Sequence, residues 1–243
     1  FAWRQFYPTK ATIIQIDVNG THLGRRHPVD IAAVGTIVDT LQALIPLVKP
    51  RDDRSFLDHS LSHTHKAEKA LDARQTSGHR DVIHPQYLTG LIGQHAAPDA
   101  VFTADGGSPM VWCLRHIPST GTNRTIVSLS HGTMANAMPQ ALGAQAAYPG
   151  RQVISMSGDG GLTMLLGDML TAVQEELPIK VVVFNNGTLG FVEIEQKVEG
   201  LLDTFTELQN PDFGRMAESM GWWGRRIEHP DGLEDAVKAW LAE

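Results

Sequence analysis

An aspartate stands among glycines at Gly158-Asp159-Gly160-Gly161, directly after the apolar run QVISMS, and Asn185 and Asn186 follow the next such run, IKVVVF. Asp159 offers a hard carboxylate oxygen and Asn186 an uncharged carbonyl oxygen. Mg²⁺ takes near-octahedral oxygen ligands, using one or two protein groups together with phosphate oxygens and water. Glycines at a strand end let the backbone approach a phosphate, and the amides opening the next helix favour an anion. Together these residues could hold a metal ion bound to a diphosphate. Singly, GDG and NNG each read as an ordinary turn. The interval between Asp159 and Asn186 has room for one helix and one strand, which is more specific than either loop.

The elements that must position these loops alternate along the chain. TIIQID (12–17) and IAAVG (31–35) read as strands, and residues 36–48 have helical spacing that Pro50 ends. A polar segment, 51–80, has weak helical spacing and reads as a surface helix and linker between domains. Helical pattern then falls on 85–95, 109–116, 135–148, 162–177, 213–220 and 233–242, and strand pattern on 100–105, 125–129, 152–157 and 179–184. Strands alternating with helices predict an α/β fold, a parallel sheet with helices on both faces. In such a sheet, ligands sit at the carboxyl ends of the strands, where both loops fall.

Composition removes other classes. The 243 residues include 20 Lys and Arg against 27 Asp and Glu, a formal charge of −7 without any block of like charge. That excludes a clustered phosphate footprint, so no nucleic-acid partner is expected. A single cysteine, Cys113, forbids an internal disulfide and fits a reducing cytosol. No apolar run approaches the roughly 18 residues of a membrane helix. The opening FAWRQFYPTK lacks an initiator Met and reads as mid-protein sequence, so a fragment is expected. His59, His63 and His65 include an i,i+4 pair of the kind that binds zinc, but no further ligand accompanies them and a solvated face is the favoured reading. His131 either orients substrate or caps a loop.

FTADGGSPMVW (102–112), SHGTMANAMPQALGAQAAYPGRQVISMSGDGG (130–161) and VVVFNNGTLGFVEIEQK (181–197) resemble the thiamine diphosphate (ThDP) enzymes, closest to the pyruvate oxidases of the pyruvate:quinone oxidoreductase branch. FYPTKATIIQIDVNGTHLGRRHPVD (6–30) resembles the end of their central FAD-binding domain. The resemblance implies the C-terminal part of a Rossmann-like FAD domain at 1–50, a linker helix at 51–80 and a ThDP diphosphate-binding domain at 81–243 that lacks its last strand. It makes Asp159, the Asn186 side chain and the Thr188 carbonyl ligands of Mg²⁺. Gly106, Gly107, Ser108, Gly160 and Gly161 would line the diphosphate through backbone amides and one hydroxyl. Met134, by itself a core methionine, would hold the bent cofactor's aminopyrimidine close to the thiazolium, and the Gly132 carbonyl would accept from the pyrimidine amine. Phe191 would shape the path towards flavin, and Glu195 would be a polar group near the reacting carbonyl. Asp17 would meet FAD hydroxyls, unless it simply ends a buried strand.

The sequence also departs from that family. Gly35-Thr36 replaces the usual Gly-Asp, which puts one flavin contact in doubt, and Gly106 replaces a branched apolar residue, which should loosen its loop. The N-terminal pyrimidine-binding domain with its activating glutamate has no counterpart in these residues. That domain would come from another subunit of a homo-oligomer, dimer or homotetramer. The implied activity of the full-length enzyme is oxidative decarboxylation of pyruvate to acetate and CO₂ with quinone as acceptor, in a cytoplasmic enzyme that is peripheral on the inner membrane face through a C-terminal segment absent here. The 243 residues alone are expected to be inactive. An acetolactate synthase-like carboligase and a non-catalytic diphosphate-binding module remain the alternatives.

Overall fold

The computed structural model describes residues 10–76 and 81–243. The first part of the stretch compared above with an FAD domain (6–9) and the end of the expected linker (77–80) lie outside them. The chain divides into two compact units, residues 1–67 and 68–243.

In the first unit, β1 (Ile14–Asp17) and β2 (Ile31–Val34) pair in parallel, with Ile14 opposite Ile31 and Asp17 opposite Val34. The following α1 (Ile37–Leu44) starts at Thr36, whose Oγ1 accepts from the Asp39 amide at 3.0 Å, and ends where Pro46 forces a short 3₁₀ turn. None of the described residues of this unit is buried. Ile31, Val34, Ile37 and Val38 are all more than half exposed. A parallel pair needs cover on both faces, and the described residues here do not supply it. The expected polar helix is α2 (Ser55–Thr76), which carries the His59–His63 pair with ring nitrogens 3.2 Å apart. Among the described residues no three His, Cys, Asp or Glu gather as a metal cluster.

The second unit is built on a four-stranded parallel sheet of β3 (Val101–Ala104), β4 (Arg124–Val127), β5 (Val153–Gly158) and β6 (Lys180–Phe184), in the order β4-β3-β5-β6. Strand alternation sorts the core into two faces. Phe102, Ala104, Ile154 and Met156 point to one face, with Leu91 and Ile92 of α3 (Pro85–His95), Cys113 of α4 (Ser108–His116) and Leu233 and Val237 of α10 (Leu233–Ala242). Val101 and Val153 point to the other, packing with Met138, Ala141 and Ala144 of α5 (Ala137–Ala147), Leu162 of α6 (Asp159–Met164) and Met169 and Ala172 of α7 (Gly167–Gln174). Fully burying each of the large side chains contributes about 1.5–3 kcal/mol. The α/β class read from the pattern is therefore the fold observed.

Two expected helices are altered. The helix read at 162–177 is two, α6 and α7, broken at Leu165, whose φ and ψ are −132° and 42°. Unbroken apolar periodicity does not reveal such a bend. The helix expected from Ala135 starts at Ala137, because Ala135 itself has φ +60°. The remaining helices are α8 (Gly190–Val198) and α9 (Phe213–Ser219).

Candidate functional site

Chain order reverses between β3 and β5. Both run in parallel, but the chain leaves β3 for β4 on one side and returns to β5 on the other, so a crevice opens at their carboxyl ends. Each strand exits there through Asp-Gly-Gly: Asp105-Gly106-Gly107 after β3 and Asp159-Gly160-Gly161 at the end of β5.

Asp159 is 3% exposed. Its Oδ1 accepts from the Gly160 amide at 2.9 Å, and its Oδ2 from the Gly187 amide at 2.8 Å and from Asn210 Nδ2 at 2.8 Å. The NNG loop is thus fastened against the GDGG loop. Asn186 is exposed at the rim, its Oδ1 accepting only a long 3.4 Å bond from the Thr188 amide. Thr188 bridges antiparallel to Glu207, its Oγ1 donating to Glu193 Oε2 at 3.2 Å, while Leu208 donates to the Gly187 carbonyl at 2.8 Å. Asn210 Nδ2 also donates to Asn185 Oδ1 at 2.9 Å. The segment 206–210 therefore backs the metal-ligand candidates from a distant part of the chain.

The glycines are there because side chains do not fit. A Cβ at Gly160 would lie 2.6 Å from Leu189 Cδ2 and 3.3 Å from Met134 Cε, which puts half-buried Met134 directly over the GDGG loop. A Cβ at Gly106 would lie 2.3 Å from the Gly132 carbonyl oxygen, and the Gly106 amide donates to the Thr133 carbonyl at 2.9 Å. The loop expected to be loosened by this glycine is instead pinned, because the backbone of 132–133 fills the space a branched side chain would take. Gly107, with φ +124° and ψ −153°, turns the chain into α4, a conformation open essentially to glycine alone. Gly132 also has positive φ, +59°.

Not every expected backbone donor is available. The amides of Gly106 and Gly160 are already given to Thr133 and Asp159. Those of Gly107, Ser108 and Gly161 stand in or before first helical turns, where amides have no intrahelical acceptor. Phe191 and Glu195 share one face of α8 and are both exposed, Phe191 by 40%; no hydrogen bond or ion pair of their side chains joins them to Asp159 or Asn186. His131 is exposed on the loop before Gly132. In the first unit, Asp17 ends no buried strand. Its Oδ1 accepts from the Asn19 amide at 2.8 Å and its Oδ2 lies 3.3 Å from His22 Nδ1, and the Asn19 bond is the main cause holding the carboxyl below its ordinary range.

Two residues of the corner escape sequence reasoning. Asn210 is too distant in the chain to suggest itself. Asp105, 2% exposed, has its Oδ1 accepting from the Ala137 amide at 2.8 Å and its Oδ2 from the Gly158 amide at 3.1 Å; burial raises its pKa against the lowering by these amides. The repeated Asp-Gly-Gly was the available signal. Among the described residues, neither Asp105 nor Asp159 forms an ion pair with a cationic side chain. A buried carboxylate is costly unless compensated; three N–H donors compensate Asp159, which stands at the crevice, where a hard carboxylate oxygen is also of the type a divalent cation takes.

Residues 105–243 match the family described as thiamine pyrophosphate enzyme, C-terminal TPP binding domain. The chain is 34% identical over 236 residues to the putative thiamine pyrophosphate-containing protein YdaP of Bacillus subtilis, covering 97% of this chain and 41% of that protein. It is 31% identical to the pyruvate oxidase of Lactiplantibacillus plantarum (93% and 37%), and 30% identical to the acetolactate synthase isozyme 3 large subunit of Escherichia coli (98% and 42%). The chain thus spans about two fifths of the length of these curated relatives.

Proposed function

Since the chain belongs to the thiamine pyrophosphate enzymes, we propose that it carries the diphosphate and Mg²⁺ part of the cofactor site in an enzyme that oxidises pyruvate. Pyruvate and water give acetate and CO₂, releasing two electrons and two protons that pass by way of FAD to a quinone. The observation that supports the site is the bond between Asp159 Oδ2 and the Gly187 amide at the crevice between β3 and β5, which draws two oxygen-bearing loops onto one point.

The residues fit the group. Asp159, Asn186 Oδ1 and the Thr188 carbonyl would hold Mg²⁺; Asp159 is a buried carboxylate tied to the Asn186 loop through the Gly187 amide, and Asn186 Oδ1 makes only a long internal bond. The amides of Gly107, Ser108 and Gly161 and the Ser108 hydroxyl would take the diphosphate, while Gly106 and Gly160 let the 132–133 backbone and the Leu189 and Met134 side chains pack against the two loops. Bound there, thiamine diphosphate would supply a carbon acid and electron sink for decarboxylation of a 2-oxo acid. Met134 would fix the cofactor's bend from its position over Gly160, and the Gly132 carbonyl would orient the pyrimidine. Phe191 and Glu195, on the exposed face of α8, would meet substrate or the flavin path once the rest of the enzyme covers that face. Asp17 is the residue proposed for FAD. Its carboxylate is engaged by Asn19 and His22, so the first unit's described residues supply one edge of a flavin site at most.

The pyrimidine-binding part would come from another subunit, which makes the enzyme a homo-oligomer, and the proposed place is the cytoplasm with peripheral membrane contact through a further segment. Relatives named acetolactate synthase match at similar identity, so carboligation is the second reading. The deciding experiment assays the full-length enzyme with pyruvate, ThDP, Mg²⁺, FAD and a soluble quinone. Acetate formed in step with quinol supports the proposal. Acetolactate as the main product selects the carboligase, and no turnover of any 2-oxo acid selects a non-catalytic module.

A further inference from the structure

We propose that Asp105 is a positioning residue of the diphosphate corner, a role that presupposes the site proposed above. Its backbone is fixed in the sheet: its amide donates to the Met156 carbonyl at 3.1 Å, and its own carbonyl accepts from Met110 at 3.2 Å. Its side chain then reaches two segments far apart in sequence. Oδ1 takes the Ala137 amide at the opening of α5, three residues after Met134, and Oδ2 takes the Gly158 amide, directly before Asp159. A Cβ on Gly161 would lie 2.2 Å from that same Oδ2, so the last glycine of GDGG rests against the carboxylate.

One buried group therefore sets the spacing between the loop that carries Asp159 and the block that carries Met134. The chemistry explains why the group is a carboxylate in spite of its burial. Two N–H donors arrive at its two oxygens, and a carboxylate accepts at both without presenting a donor of its own. An asparagine at this position would present its NH₂ to one of the donors and leave that amide buried without an acceptor. The two Asp-Gly-Gly motifs thus divide the work. Asp159 faces the crevice, and Asp105 lies beneath it and holds its walls in register. Asp105 touches no reacting atom in this arrangement.

The test compares wild type, Asp105→Asn and Asp159→Asn in the full-length enzyme by native-state hydrogen exchange and by calorimetric titration with ThDP and Mg²⁺. Asp105→Asn should speed exchange at Gly158 and Ala137 and through residues 132–136 by tenfold or more, leaving the Phe102 and Ile154 amides unchanged, and should weaken Mg²⁺-dependent ThDP binding at least tenfold. Asp159→Asn should lose the Mg²⁺ dependence without changing exchange at Ala137. Unchanged exchange in Asp105→Asn, or ThDP affinity equal to wild type, overturns the proposal. If wild type binds no ThDP, the site reading fails, while the exchange comparison still upholds or overturns the clamp itself. Should Asp105→Asn not fold, Gly161→Ala, whose methyl displaces Oδ2 without altering its charge, must give the same two changes or the role is wrong.

Discussion

The Gly187 amide donates to Asp159 Oδ2 at 2.8 Å, so the loop after β6 is tied to the loop after β5 by one charge-assisted bond. Replacing Asp159 by Ala removes the acceptor for Gly187, Gly160 and Asn210 together. Leaving one buried and two half-buried donors without their acceptor, at about 1–3 kcal/mol for a buried one, this variant should lose about 2 kcal/mol of stability in urea unfolding. Asp159→Asn, which keeps one acceptor oxygen, should lose less. Equal midpoints for Asp159→Ala and wild type would show that the bond does not hold in solution.

Glycine substitutions at the two walls should differ in cost. At Gly106 the obstacle is the Gly132 and Thr133 backbone, whereas at Gly160 it is the ends of the Leu189 and Met134 side chains. Flexible side chains move more cheaply than backbone, and overpacking costs typically about 1–3 kcal/mol. Gly106→Ala should fall at or above the top of that range, and Gly160→Ala nearer the bottom. Denaturant midpoints of the two variants check the order, and a reversed order refutes the pinned loop.

Asp105 predicts a pH dependence of known sign. Burial is the leading cause raising its pKa from the ordinary 3.8. Between the unfolded and the raised folded value the native state binds the extra proton, so this group favours folding below about pH 4, and that contribution is lost as pH rises through the folded value. Comparing wild type with Asp105→Asn in chemical denaturation from pH 4 upwards should show the downward slope only in wild type. A slope that is the same in both assigns it to other groups.

Cys113 is 1% exposed, and burial pushes its thiol from 9.0 up to about 12. The neutral thiol's contribution to stability is complete below pH 9 and is lost only as pH rises through that higher value. Since the thiolate is the nucleophile, iodoacetamide at pH 8 should leave the native chain unmodified and label it in step with urea unfolding. Rapid labelling of the folded protein, read by mass spectrometry, would contradict the packing of α4 on the sheet.

Much of this molecule was legible from residue order because the physics concerned is local. The alternation Val101-Phe102-Thr103-Ala104 reports a strand buried on both faces, and Pro85 and Gly232 stand at the starts of helices whose limits the pattern placed correctly. Asp159 and Asn186 stand out as candidates because strand ends and turn residues announce themselves within a few positions. Tertiary structure alone decided which strand ends meet. Placing β3 beside β5 depends on the total packing of α3, α4 and α10 on one face and of α5 and α7 on the other, which no single window contains. For the same reason Asn210 reached Asp159 unannounced, Gly106 proved to be filled by the backbone of 132–133, and Asp105, which resembles any turn aspartate in sequence, became a buried two-sided acceptor.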